Sequence, residues 1–217
     1  MTRTLISLAL AFALASTAAA GGVDKINGSV HVPTGQAPED ASTVNGAVQV
    51  DGGAHVKDAS TVNGSVSIGE SATAAKVSTV NGGISLGAKS QVAGEVDAVN
   101  GSIHLFPGAD ARGKVSNVNG QITVEGAHVG GGIETTSGGI SITGASRVEG
   151  GIHVEKANTS WFSSNNASKL PLIVIGPGAV VTGTLDFERE VELHVSDRAQ
   201  VGTIKGATAI KFSGDAP

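Results

Sequence analysis

The chain has no cysteine and no tyrosine, one tryptophan and one methionine among 217 residues, and aromatic residues make up only 3% of it. Without cysteine there is no disulfide, no thiolate metal centre and no lipid-modified cysteine, so stability has to come from packing alone. So few aromatics leave no material for a core of large rings, nor for the aromatic-lined groove in which polysaccharide-cleaving β-helical enzymes stack sugars. No excess of basic charge is present either: the formal charge is -5, or -6 once Arg3 is set aside with the N-terminal segment 1–20. That field disfavours nucleic acid and anionic lipid as partners. The 32 glycines lack collagen's three-residue period, and only 6 prolines beside 40% apolar residues argue against disorder.

Only one long apolar run occurs, Leu5 to Ala15, preceded by Arg3 and followed by Ser16-Thr17-Ala18-Ala19-Ala20. This is the pattern of a secretory signal peptide, residues 1–20, with an Ala18-x-Ala20 cleavage site. The run is shorter than the roughly 20 residues that span a bilayer. The mature chain is therefore expected to start at Gly21, to be exported to the periplasm or the exterior, and to have no stable membrane insertion.

What the chain has in quantity is a repeat. Asn-Gly recurs at Asn27, Asn45, Asn63, Asn81, Asn100 and Asn119, at intervals of 18, 18, 18, 19 and 19, and Ser137-Gly138 continues the series one period on. A fixed period in this range marks a solenoid, in which each coil buries its apolar side only against its neighbours. Counting from each asparagine, position +3 reads Val30, Val48, Val66, Ile84, Ile103, Ile122, Ile140, and +5 reads Val32, Val50, Ile68, Leu86, Leu105, Val124, Ile142. The residue between is His31, Gln49, Ser67, Ser85, His104, Thr123 or Ser141. That alternation is a strand with one buried face.

A second apolar set falls at Val56, Ala74, Val92 and Ala111, and a third just before the asparagine at Val44, Val62, Val80, Val99 and Val118. Three short strands per coil would enclose a narrow aliphatic core. The fold class expected is all-β: a single-stranded parallel β-helix of about ten 18–19-residue coils over residues 21–217. The hexad spacing Val50, Val56, Val62, Ile68, Ala74 also fits a left-handed hexapeptide form. The longer of the coils and the inward +3 positions fit a right-handed one better, and handedness stays open with that preference. Asn-Gly is read as a corner, glycine left-handed and the six asparagines stacked in an amide ladder. A polar insertion at 157–170 interrupts the repeat and carries the adjacent aromatics Trp161 and Phe162, the candidate recognition loop. Setting aside the leader 1–20 and the insertion, the remaining chain makes up about ten coils at this period.

The unit Val62-Asn-Gly-Ser-Val-Ser-Ile68, with Ile175-Gly-Pro-Gly-Ala-Val-Val181, resembles bacterial adhesin-type β-solenoids and their bactofilin-like relatives over nearly the whole mature chain. The resemblance implies a non-enzymatic scaffold, surface or polymer-forming role. Bactofilins are typically cytoplasmic or attached to the membrane from inside, and the leader departs from that pattern.

Catalytic and metal-binding constellations are weak in comparison. Six histidines, at 31, 55, 104, 128, 153 and 194, share no neighbouring positions of one column, whereas zinc needs ligands converging at about 2 Å. Solvated strand-face histidines are the better account, and no cofactor is expected. Column -5 reads Asp40, Asp58, Lys76, Glu95, Lys114, an ion-pair ladder alternating in sign from Asp58 onward; Asp40 with Asp58 makes only a weak cation site. Thr43, Thr61 and Thr79 beside Ser42, Ser60 and Ser78 suggest polar corner packing rather than an ice-ordering hydroxyl array, because the series lapses at Ala98 and Asn117. Asp186, Glu188, Glu190 and Glu192 read as one acidic outer strand face rather than a general acid–base pair.

The expectation is thus a secreted non-enzymatic solenoid, an envelope scaffold or adhesin; the alternative is a carbohydrate-binding or polysaccharide-cleaving β-helix. Partners expected are a cell-surface glycan or protein, and a second copy through the N-terminal coil. Only Gly21 to Lys25 precede the first full unit there, while the polar Ser213–Pro217 would protect the far end.

Overall fold

The computed structural model describes residues 22–37, 39–156 and 170–217. The segment 1–20 expected to be a leader, and Trp161 and Phe162 of the expected recognition loop, lie outside the described residues. The described chain is all-β, and every strand pairs in parallel with its equivalent one coil away. The first face, from Val30–Val32 to Ala209–Phe212, is a ten-stranded sheet, which makes ten coils. Its register aligns the columns read from the sequence: Val30↔Val48, Val66↔Ile84, Ile103↔Ile122. Every residue in the +3 and +5 columns of the first seven coils is buried. Fully burying one such Ile or Val stabilises by about 1.5–3 kcal/mol.

The second and third faces form one 16-stranded sheet, because His55–Asn63 and Thr73–Asn81 run through the corner between them unbroken. In later coils the chain breaks there into separate strands, such as Gln91–Val92 and Val96–Asn100. The cause is one extra residue. Three steps separate the buried Val56 and Ala59, but four separate Val92 from Val96 and Ala111 from Val115. The extra position is glycine at Gly94, Gly113, Gly131, Gly150 and Gly183. A Cβ there would lie 2.3 Å from Gly94 O in the case of Gly113, and 2.5 Å from Gly113 C in the case of Gly131. A second glycine column therefore lets backbone stack directly on backbone at this corner.

Two inner columns differ from expectation. Val44, Val62, Val80, Val99 and Val118 are only half-buried. The inward positions of the third face are instead Ala41 and Thr43, Ala59 and Thr61, Val77 and Thr79, and later Ile152 with Val154 and Leu185 with Phe187. Strand alternation turns the -4 and -2 positions inward and the -1 position away from the core. A column of small residues, Ala54, Ala72, Ser90, Ala109, Ala127, Ser146 and Ala179, fills the corner between first and second faces.

The insertion leaves from the corner between the third face (Ile152–Val154) and the first (Leu172–Ile175). The ladders cross it intact, with Ile140↔Ile173 and Ile152↔Leu185 in register although the whole insertion lies between the partners. At the N-terminal end Val30 and Val32 are buried and Ile26 is 70% exposed. The far end is more open than the sequence suggests: Val201, Ile204, Ala209 and Phe212 are partly exposed and Ile210 is 52% exposed. The polar tail does not cross the core there. Ser213 Oγ donates to Asp197 Oδ2 at 2.9 Å and Arg198 Nη2 donates to Gly214 O at 3.0 Å, which holds the tail against the rim.

Candidate functional site: corner ladders and charged faces

The Thr-x-Asn-Gly corner is built on three levels. Outermost, the six asparagine side chains form an unbroken ladder: Asn45 Nδ2 donates to Asn27 Oδ1 at 3.1 Å, Asn63 to Asn45 at 3.0 Å, Asn81 to Asn63 at 3.0 Å, Asn100 to Asn81 at 3.1 Å and Asn119 to Asn100 at 3.0 Å. A primary amide has both donor and acceptor, so one residue type repeated at one coil spacing satisfies itself.

Glycine follows because of close approach more than backbone sign. Gly28 and Gly120 take positive φ, but Gly46, Gly64 and Gly101 do not, contrary to the left-handed corner expected. A Cβ on these three would instead lie 2.3, 1.9 and 1.7 Å from the carbonyl oxygen of the preceding corner glycine.

Inside, the threonine hydroxyls cap those carbonyls. Thr43 Oγ1 donates to Gly28 O at 2.9 Å, Thr61 to Gly46 O at 2.8 Å and Thr79 to Gly64 O at 3.0 Å. These threonines are buried, so they form no outward hydroxyl array. Ala98 interrupts the series with no hydroxyl to offer; one coil on, Asn117 Nδ2 takes the threonine's part, donating to Gly101 O at 3.3 Å and Gly120 O at 3.0 Å, and Thr135 Oγ1 donates to Asn117 Oδ1 at 2.6 Å.

The outer second face carries a continuous polar chain across four coils. Arg112 Nη2 donates to Gln91 Oε1 at 3.2 Å and Arg112 Nε to Asp110 Oδ2 at 3.2 Å. His128 Nδ1 meets Asp110 Oδ1 at 2.6 Å, His128 Nε2 lies 3.6 Å from Glu149 Oε1, and Arg147 Nε donates to that same oxygen at 3.0 Å. Burial by itself would raise Asp110, but hydrogen bonds from His128 and Arg112 outweigh it and hold its carboxyl below the ordinary range. Arg147 likewise holds the exposed Glu149 low.

On the third face the expected sign-alternating ladder forms only in part. Lys76 pairs with Glu95 at 3.1 Å and Asp97 at 3.7 Å. Lys114 turns to Glu134 at 2.9 Å, because the next residue in its own column is Gly132. The Glu95 hydrogen bond raises Lys76; for Lys114, burial works against the raising effect of Glu134, which prevails. Asp58 is raised by burial and by Asp40, and Glu155 by burial and by Glu134.

The acidic run also divides at a corner rather than making one face. Asp186 lies on Leu185–Phe187 of the third face and Glu192 on Glu192–Ser196 of the first, with Glu188 and Glu190 in the turn between. Three of these acids serve a nearby histidine: Asp186 and Glu188 lie 3.9 Å from His153, and Glu192 lies 2.8 Å from His194. His31 meets Asp51 at 3.1 Å, His104 lies 3.4 Å from Glu125 and stacks on Phe106, and His55 bonds Thr73. Among the described residues no three His, Asp or Glu side chains are grouped to hold a metal ion, and no helix is long and apolar enough to cross a membrane.

These features define a parallel β-helix whose outer polar groups are spent largely on one another. No family model, curated protein or solved structure matches the chain.

Proposed function

We propose that the chain is an exported, non-enzymatic β-solenoid serving as an envelope scaffold or adhesin, in the manner of the adhesin-type and bactofilin-like solenoids its repeat resembles. The observation that carries this reading is the axial pairing of the outer side chains. The asparagine ladder and the Gln91–Arg112–Asp110–His128–Glu149–Arg147 chain run along the stack, coil to coil, instead of converging on a reacting atom. Nine steps of about 4.8 Å give a rod roughly 43 Å long. The insertion at 157–170 belongs to one of its corners and carries Trp161 and Phe162. Adjacent aromatics supply contact area at low entropic cost, and they favour the second reading, carbohydrate binding.

Residues 21–217 and the Trp161→Ala/Phe162→Ala double variant should be tested on intact cells, on a glycan array and in a lyase and hydrolase screen. Binding lost in the double variant without polysaccharide cleavage supports the adhesin; turnover of any glycan overturns the non-enzymatic reading. N-terminal sequencing of secreted product should begin at Gly21. Association through the N-terminal coil predicts a concentration-dependent dimer in sedimentation, and a monomer at every concentration removes that partner.

A further inference from the structure

The six Asn-Gly pairs are alike in sequence but not in hydrogen bonding. In five of them the glycine N–H is held by the next coil: Gly28 donates to Asn45 O at 2.9 Å, Gly46 to Asn63 O at 3.1 Å, Gly64 to Asn81 O at 3.0 Å, Gly82 to Asn100 O at 3.1 Å and Gly101 to Asn119 O at 3.0 Å. Gly120 has no acceptor among the described residues. The series changes at the next coil, where Ser137 replaces asparagine and Gly138 N turns to Thr135 Oγ1 at 2.9 Å. The asparagine side chains divide the same way. The amide oxygens of Asn27, Asn45, Asn63, Asn81 and Asn100 each accept from the following asparagine, and the ladder ends at Asn119. Ser137 Oγ faces Arg189 Nη1 at 3.4 Å instead.

An asparagine followed by glycine is chemically primed for attack by the glycine nitrogen on the side-chain amide, because no Cβ obstructs it. A hydrogen-bonded N–H cannot leave its acceptor without opening the coil. We infer that Asn119 is a self-modification site, the one Asn-Gly pair that the fold leaves able to deamidate while the other five are protected. Gly120 N loses its proton to solvent base and bonds to Asn119 Cγ. The Cγ–Nδ2 bond breaks, ammonia departs with a proton from solvent, and a succinimide ring closes. Water then adds to one of the two ring carbonyls and opens the ring to aspartate or isoaspartate. One water enters and one ammonia leaves, with no oxidant or cofactor.

The product carries a new negative charge at the solvent-exposed end of the ladder, one coil from Ser137 and the Arg189 guanidinium. Its carboxylate can no longer donate to Asn100 Oδ1, so the last rung becomes a meeting of two acceptors.

Residues 21–217, folded and held at mildly alkaline pH, should be sampled over days by peptide mapping that separates asparagine, aspartate and isoaspartate. The Asn119 peptide should convert several times faster than those of Asn45, Asn63, Asn81 and Asn100. In urea all six should convert at similar rates. Ser137→Asn, which supplies a ladder donor to Asn119 Oδ1, should slow conversion at Asn119 without changing the others. Equal rates at Asn119 and Asn63 in the folded protein would overturn the inference. So would fastest conversion at Asn27, which would point to fraying of the end coil, or a lead for Asn119 that persists in urea, which would point to local sequence. Failure of Ser137→Asn to slow Asn119 would overturn the role given to the missing rung.

Discussion

Adding one methyl group at Gly64 separates two explanations of the corner glycine. If the residue were glycine for its dihedral freedom, alanine would cost what a strained backbone costs, about 1–2 kcal/mol. Gly64 takes no positive φ, however, and its alanine Cβ would lie 1.9 Å from Gly46 O and 2.5 Å from Gly46 C. Contact closer than 3.0 Å cannot be sustained, so the two coils must part by roughly 1 Å out of a spacing of about 4.8 Å. Four hydrogen bonds lie within that parting: Gly46 N to Asn63 O at 3.1 Å, Val48 N to Ser65 O at 2.9 Å, Thr61 Oγ1 to Gly46 O at 2.8 Å and Asn63 Nδ2 to Asn45 Oδ1 at 3.0 Å. At about 1 kcal/mol each, Gly64→Ala should cost about 4 kcal/mol. For a chain of this size that is a fall of roughly 10 °C in melting temperature. Gly53→Ala is the matched control. Gly53 has φ of 69° with nothing within 4 Å of an added Cβ, so it isolates dihedral strain. Thermal and urea unfolding followed by circular dichroism, for Gly53→Ala and Gly64→Ala side by side, decide the matter. A Gly53→Ala loss equal to or larger than that of Gly64→Ala refutes the collision argument.

Thr61→Val keeps shape and burial but leaves Gly46 O without its cap, and should cost about 1–3 kcal/mol in urea unfolding; no loss would mean the hydroxyl contributes nothing. Ser90 Oγ is buried without a partner among the described residues, whereas Ser146 Oγ donates toward Thr143 O at 2.6 Å and accepts from Ala127 N at 3.3 Å. Ser90→Ala should therefore be neutral or stabilising by up to about 1 kcal/mol and Ser146→Ala destabilising by about 1–3 kcal/mol, and the reverse order in melting temperature would contradict this. Asp110 is depressed in the folded chain, so its contribution is present above the ordinary carboxylate value of 3.8 and is lost as pH falls through the lower folded value. The melting-temperature gap between the native chain and Asp110→Asn should be fully open at neutral pH and close in acid; a gap that persists to about pH 2 would show that ionisation is not its source.

The first face was legible because a single polar residue separates two large aliphatic ones, as in Val48-Gln49-Val50, and no other local structure gives that pattern seven times. The third face was not. Its inner pair in the early coils is Ala-x-Thr, a small residue and a polar one, while the half-buried Val44 and Val62 beside the asparagine looked more like core than Thr43 and Thr61 did. Strand alternation turns the threonine inward, and its hydroxyl can be buried there because a corner glycine carbonyl accepts from it, a tertiary contact the local pattern does not reveal. The second glycine column escaped for another reason: Gly94, Gly113, Gly131, Gly150 and Gly183 stand at unequal intervals and are hidden among 32 glycines. The asparagine ladder could be anticipated from type and spacing, whereas the collision that demands glycine beside it could not, because dihedral freedom and close approach select the same residue. The charged faces were legible as columns but not as pairs. Lys114 reaches Glu134 across columns only because Gly132 vacates its own.

The register held across the insertion separates what the stack requires from what it merely carries. Deleting 157–170 from that coil would leave one as long as its neighbours, and the ladder partners on either side, Ile140 with Ile173 and Ile152 with Leu185, already behave as though the shorter coil were there. The insertion is a cassette. Its two ends are anchored at one corner by strands that do not depend on what lies between them, so its contents can drift in length and chemistry with no matching change elsewhere in the chain. Change within the insertion is thereby uncoupled from the packing that keeps the stack in register.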